Sequence, residues 1–140
     1  MPRTARPELE LVASVPLFRG LSRRDLGRIL DAAKEMDFKE GAAVARQGEP
    51  AGRFFLIVEG NARVVVNART RARLGRGDYF GELALIDGGP RSATVVADTP
   101  LRTLSIAEWN FRPLLKEQPS IAHAILVEMC RRLRDVERTF

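Results

Sequence analysis

The chain has 140 residues, 45% of them hydrophobic and 29% charged, with a net charge of +5. This is the size of one globular domain able to bury a sizeable core; its apolar runs are too short to span a bilayer, and no apolar signal core follows the basic start Met1-Pro2-Arg3-Thr4-Ala5-Arg6-Pro7-Glu8, so neither a membrane segment nor secretion is expected. A single cysteine, Cys130, rules out an internal disulfide and fits a reducing compartment, so the cytoplasm is the expected location.

The first elements read as helices. Glu8 to Ala13 forms a short one closed by Pro16, and Ser22 opens a second, with Asp25 three residues on in a weaker relative of the Ser-x-x-Glu capping box. Leu26, Ile29, Leu30 and Ala33 make its apolar face. From Met36 to about Leu104 the pattern changes to short Val, Phe, Ile and Leu segments. Turn signals at Glu40-Gly41, Gly48-Glu49-Pro50, Glu59-Gly60-Asn61, Gly75-Arg76-Gly77-Asp78 and Asp87-Gly88-Gly89-Pro90 separate them, which predicts an all-β barrel or jelly roll. Val64 and Val66 alternate with Arg63, Val65 and Asn67, as in a strand with one face turned inward. Ser105-Ile106-Ala107-Glu108 is a second capping-box pattern, opening a helical stretch with Trp109, Phe111, Leu114 and Leu115. Pro113 complicates that stretch, since a proline is tolerated in the first turns but would kink the helix deeper inside, and Gln118-Pro119 bounds it. From Ser120 to about Arg138 a last helix carries Ile121, Ile125, Met129, Leu133 and Val136 as one stripe. No repeat or linker divides the chain. One domain over residues 1–140 is expected, with helices over about 8–34, strands over about 36–104 and C-terminal helices over about 106–138.

The most informative run is Phe80-Gly81-Glu82-Leu83-Ala84-Leu85-Ile86-Asp87-Gly88-Gly89-Pro90-Arg91-Ser92-Ala93-Thr94-Val95. An arginine keeps its charge at any accessible pH and its planar fork matches two phosphate oxygens, which makes Arg91 a candidate anion clamp. Glu82 follows a glycine that lets a ligand approach the backbone, and its carboxylate can accept hydrogen bonds from sugar hydroxyls. Glu82 to Ile86 has the propensity for one helical turn, whose free amides would face the anion. A cyclic phosphate and one ribose hydroxyl would satisfy the whole cassette.

F-G-E-L-A-L-I followed by G-G-P-R-S-A-T-V resembles the phosphate-binding cassette of cyclic nucleotide-binding domains, found in kinase regulatory subunits, the catabolite activator protein and cyclic-nucleotide-gated channels. The resemblance extends from Val15-Pro16-Leu17-Phe18-Arg19-Gly20-Leu21-Ser22 through Gln47-Gly48-Glu49 and Phe54-Phe55-Leu56-Ile57-Val58-Glu59-Gly60 to the helical C-terminus. It implies a mainly β fold: an eight-stranded β-roll, or double-stranded β-helix, between N-terminal helices and two C-terminal helices. Gly81 and Glu82 would hold the ribose 2′-hydroxyl and Arg91 the cyclic phosphate, with amides at Leu83, Ala84, Ser92 and Ala93 completing the anion shell. Val64 and Leu74 would contact the purine from the barrel, and Arg134, Arg138 or Val136 would cover it from the last helix as that helix closes. In the family, alanine after the arginine accompanies cyclic AMP and threonine accompanies cyclic GMP. Serine at 92 lies between the two, and the surrounding run favours cyclic AMP.

The remaining signals narrow the function classes. His123, the sole histidine, speaks against a metal cupin, Cys130 has no activating neighbour, and Glu82 lacks a positioned second carboxylate, so no catalytic constellation, metal or cofactor beyond the nucleotide is expected. The arginines are scattered, with a denser group at Arg131, Arg132, Arg134 and Arg138, and read as a solvated surface. The reading is a sensor with no DNA-reading module in this chain. The alternatives are a fragment of a transcription regulator or channel, and a ligand-free interaction domain whose last helix pairs with a second copy or another partner.

Overall fold

The computed structural model describes residues 8–49, 52–82, 84–87 and 89–137. The chain divides into two compact units, Met1–Asp31 with Pro113–Phe140, and Ala32–Arg112.

The second unit holds eight strands: β1 (Lys34–Phe38), β2 (Ala43–Ala45), β3 (Arg53–Glu59), β4 (Ala62–Val66), β5 (Arg69–Leu74), β6 (Tyr79–Phe80), β7 (Thr94–Ala97) and β8 (Leu101–Ala107). They form two four-stranded antiparallel sheets in the orders β1-β8-β3-β6 and β2-β7-β4-β5. This is the mainly β, eight-stranded architecture that the spacing of turn signals and the family resemblance predict. Ile57 and Leu101 from one sheet meet Ala45, Ala62, Val95 and Ala97 from the other in a buried cluster, with Phe38, Val64 and Phe80 packed against it. The facing alanines leave room for the larger side chains opposite.

Two local readings change. Ser105 caps no helix: it is buried in β8, paired with Lys34 of β1 and Phe55 of β3. A central strand uses its backbone groups on both sides, and this ladder outweighs the local capping pattern. The next helix, α4 (Glu108–Glu117), starts three residues later, where the carbonyl of Gly52 accepts the Glu108 amide at 2.8 Å. The β4–β5 turn carries no Gly or Pro; Asn67 and Ala68 have φ of 49° and 67°, the paired positive values of a two-residue type I′ hairpin. Gln47 holds this turn, its Nε2 donating to Asn67 Oδ1 and its Oε1 accepting from the Asn67 amide, each at 3.1 Å.

The first unit contains α1 (Glu8–Ala13), a 3₁₀ turn at Pro16–Phe18, most of α2 (Arg23–Ala32) and α5 (Pro119–Glu137). Ser22 Oγ accepts the Asp25 amide at 3.1 Å, as the N-cap reading requires. The buried Asp25 carboxylate turns to Arg28 (2.8 Å) and the Ser120 hydroxyl (2.6 Å). Leu26, Ile29, Leu30 and Ala33 are buried, as their helical spacing predicts.

The stripe expected on α5 separates along its length. Ile121 and Ile125 are buried, Met129 is half-buried, and Leu133 and Val136 are 60% and 55% exposed. Four-residue steps overshoot a 3.6-residue turn by roughly 40° each, so the apolar line rotates away from the face that packs on the 3₁₀ turn. Glu128 takes the vacated inward position and is buried, with Arg132 at 3.5 Å and Arg19 and Arg131 at 3.8 Å.

Candidate functional site

Within the β unit lies a cavity of about 430 Å³. Val64, Gly81, Glu82, Arg91, Ser92 and Ala93, all assigned from sequence, line it together with Ala45, Tyr79, Phe80 and Val95.

β6 delivers the chain to this cavity. Phe80 stacks on Phe55, ring centroids 5.1 Å apart at an interplanar angle of 22°, and Tyr79 lies 6.1 Å from the Phe54 ring. Gly81 follows with φ +81°, a conformation disfavoured for side-chain-bearing residues. Space imposes the same requirement: a Cβ there would overlap Arg91 Nη1 and sit 2.6 Å from the Arg53 carbonyl oxygen. Half-buried Glu82 comes next, and its carbonyl accepts the Leu85 amide at 3.2 Å. The single turn α3 (Ala84–Asp87) then packs on β3 and buries Leu85 completely. Asp87 Oδ1 accepts the Gly89 amide at 2.8 Å, an Asx turn that ends the helical segment.

Arg91 is fixed at both main chain and side chain. Its amide donates to the Glu49 carbonyl and its own carbonyl accepts from the Gly48 amide, each at 2.9 Å. Its Nη2 donates to the Arg53 carbonyl at 2.9 Å, and its Cζ lies 5.6 Å from the Phe55 ring centroid. Burial lowers the pKa of this guanidinium, as removal of a cation from water requires, yet an arginine so placed stays charged. The cavity wall thus carries a desolvated, oriented cation beside a carboxylate and a glycine backbone. That arrangement suits an anionic ligand with a neighbouring hydroxyl.

Other assignments fall elsewhere. Ser92 is exposed at the rim. Leu74 pairs with Ala62 and lines a second hollow with Asn61, Arg73 and Asp98, so the structure places it apart from the main cavity. Leu74 packs on the core, but at the far end of β4 from the cassette. Arg134 is exposed on α5, in the other unit. Leu83 and Arg138 lie outside the described residues, and Ala84 is described as the first residue of α3. Tyr79, Phe80, Ala45 and Val95 received no site role from the sequence, although the two aromatics directly precede Gly81. Among the described residues no three His, Cys, Asp or Glu side chains gather to hold a metal ion, and no helix is long and apolar enough to cross a membrane.

The chain is similar to known proteins over most of its length. A cyclic nucleotide-gated potassium channel of Mesorhizobium japonicum is 43% identical over 113 residues, covering 81% of this chain and 31% of the channel. A cAMP-dependent protein kinase regulatory subunit of Mycosarcoma maydis is 40% identical over 115 residues, covering 76% of this chain and 22% of the subunit. The chain therefore spans less than a third of the length of these two relatives. Among solved structures, the N-terminal domain of a transcriptional regulator from Streptomyces coelicolor superimposes with a TM-score of 0.85 at 27% identity, covering 92% of this chain and 94% of that one. Residues 35–118, which take in the cassette and all of the strands but the first residue of β1, match the family model of the cyclic nucleotide-binding domain, and the chain belongs to that family.

Proposed function

We propose that this chain is a cyclic-nucleotide sensor that favours cyclic AMP over cyclic GMP and acts by binding alone. The observation that carries the reading is the half-buried Arg91 guanidinium in the cavity wall, oriented by a backbone carbonyl and an aromatic face. A cyclic phosphate would take the fork of Arg91, with amides at Leu83, Ala84, Ser92 and Ala93 around it. Glu82 and the Gly81 backbone would receive the ribose 2′-hydroxyl, and Val64 would meet the purine. The exposed Ser92 hydroxyl stands at the rim, where it could bond the phosphate without selecting a guanine edge. The base would be covered from α5 by Arg134 or Val136, and that closure would be the output passed to an effector, as in the regulatory context that the relatives' names describe. α5 also exposes Leu126, Leu133 and Val136, a surface for a second copy of the chain. A reducing, cytoplasmic setting fits the single exposed cysteine.

Isothermal titration with cyclic AMP and cyclic GMP, using Arg91→Ala as control, tests the reading. Removing a charge-assisted bidentate contact costs roughly 2–5 kcal/mol, so the variant should bind at least about tenfold more weakly. Heat that is the same for variant and wild type, or no heat with either nucleotide in a folded, ligand-stripped chain, would reject it.

A further inference from the structure

We infer that Arg53 is a positioning residue for the anion clamp: its carbonyl sets where the Arg91 guanidinium rests, and its own guanidinium is anchored on Trp109. The inference rests on the cyclic-nucleotide reading above.

Three groups converge at one point in the cavity wall. Arg91 Nη2 donates to the Arg53 carbonyl at 2.9 Å, and Gly81 occupies the space beside both, where a Cβ would overlap Arg91 Nη1. The guanidinium is thereby confined between a backbone oxygen and a backbone without a side chain. It can swing only if its hydrogen bond to Arg53 breaks or the Arg53 main chain moves with it.

Arg53 is tied down on its other side. It opens β3 opposite Ala107, the last residue of β8, and Gly52 before it accepts the first amide of α4. Its side chain reaches Ser105 Oγ at 3.4 Å, and its Cζ lies 5.0 Å from the centroid of the Trp109 ring. Trp109 is 65% exposed, and the Arg53 guanidinium lies over its ring, a cation–π contact that can orient the indole. One residue thus links the anion clamp to the first turn of α4, main chain at one end and side chain at the other. A phosphate that engages the Arg91 fork competes with, or repolarises, the bond to the Arg53 carbonyl, and the displacement is felt at Trp109.

The chain contains one tryptophan, so indole emission reports on the surroundings of Trp109 alone. In the ligand-free protein, Arg91→Ala and Arg91→Lys should each change Trp109 emission, although neither touches the indole. Circular dichroism of each variant verifies that it folds. With cyclic AMP, the emission change should track the calorimetric binding curve. Arg53→Ala and Trp109→Ala should weaken binding about two- to fivefold, the worth of an exposed cation–π contact, while Arg53→Lys and Trp109→Phe, which keep a cation and a π face, should recover most of the loss. Ligand-free emission unmoved by both folded Arg91 variants would overturn the inference, as would wild-type affinity in Trp109→Ala. Absence of heat with the nucleotide would instead defeat the sensor reading and leave the ligand-free emission to decide the link between Arg91 and Trp109.

Discussion

Gly81 is the position where the cassette tolerates least. Its φ of +81° strains any L side chain, and the space a Cβ would need is already held by Arg91 and the Arg53 carbonyl. Gly81→Ala should therefore lower stability by about 1–3 kcal/mol and, by pushing the guanidinium aside, weaken cyclic AMP binding at least about tenfold. Thermal melts paired with titration check both effects; an alanine variant that melts and binds like wild type would mean that the backbone relaxes freely there. At this scale the sequence is most readable where chemistry is written in residue identity. A glycine, a carboxylate and an arginine at this spacing announce an anion and hydroxyl site, and the structure brings Gly81, Glu82 and Arg91 to one cavity. What holds Arg91 is a main-chain carbonyl, which every residue possesses and none advertises, so Arg53 could not be recognised from its name. Leu74 illustrates the converse: the resemblance puts it beside the purine, but which end of the barrel it faces depends on register, which residue identity does not give.

Among the elements, α5 departs furthest from its sequence pattern. A stripe drawn at four-residue steps drifts around the helix, and the inward position falls to Glu128 instead of Met129 or Leu133. Glu128 Oε1 is buried with no hydrogen-bond partner among the described residues, and its arginine neighbours Arg19 and Arg131 are about half exposed. Water can solvate those cations once the carboxylate is gone, so the usual penalty for orphaning a buried charge is small here, while the desolvation cost of the carboxylate is relieved. Glu128→Leu should thus leave stability unchanged or raise it by about 1 kcal/mol, seen as an equal or higher urea midpoint. A midpoint lowered by the amount typical of a broken buried pair would show that the ion cluster holds α5 in place. Ser105 departs from its pattern for a similar reason. Capping preferences are worth about 1 kcal/mol, whereas a strand paired on both sides commits every backbone group of its stretch.

For the whole molecule, the described residues fall into a β unit that contains the cavity and a helical unit that contains α5. The proposed sensing mechanism makes one demand that joins them: ligand in the first must alter the second. Amide exchange over residues 120–137 should slow when cyclic AMP is added, and light scattering on the same samples should report whether the exposed Leu126, Leu133 and Val136 recruit a second copy. Exchange unchanged at saturating nucleotide would reject closure of α5, and a monomer mass at all concentrations would reject self-association. The fold class itself was legible, because turn residues at short intervals between β-branched and aromatic runs leave few alternatives to a β-roll. The change from helical to strand patterning near Met36 and Leu104 lies close to the limits of the β unit at Ala32 and Arg112, although no residue marks those limits themselves.

The way Arg91 is tied has a consequence for how such a protein can diversify. Its amide and carbonyl are stitched to Glu49 and Gly48, while its side chain returns to the point where the chain left β6 at Gly81. The stretch between Gly81 and Arg91 is thus an excursion anchored at its own two ends, and apart from Leu85, which is buried as α3 packs on β3, the strands beneath are not obliged to change when residues inside it do. Because lengthening a closed loop costs only about 0.6 kcal/mol per doubling, its solvent-facing positions can be rewritten for a different anionic ligand while both anchors, the buried Leu85 and the scaffold are inherited unchanged.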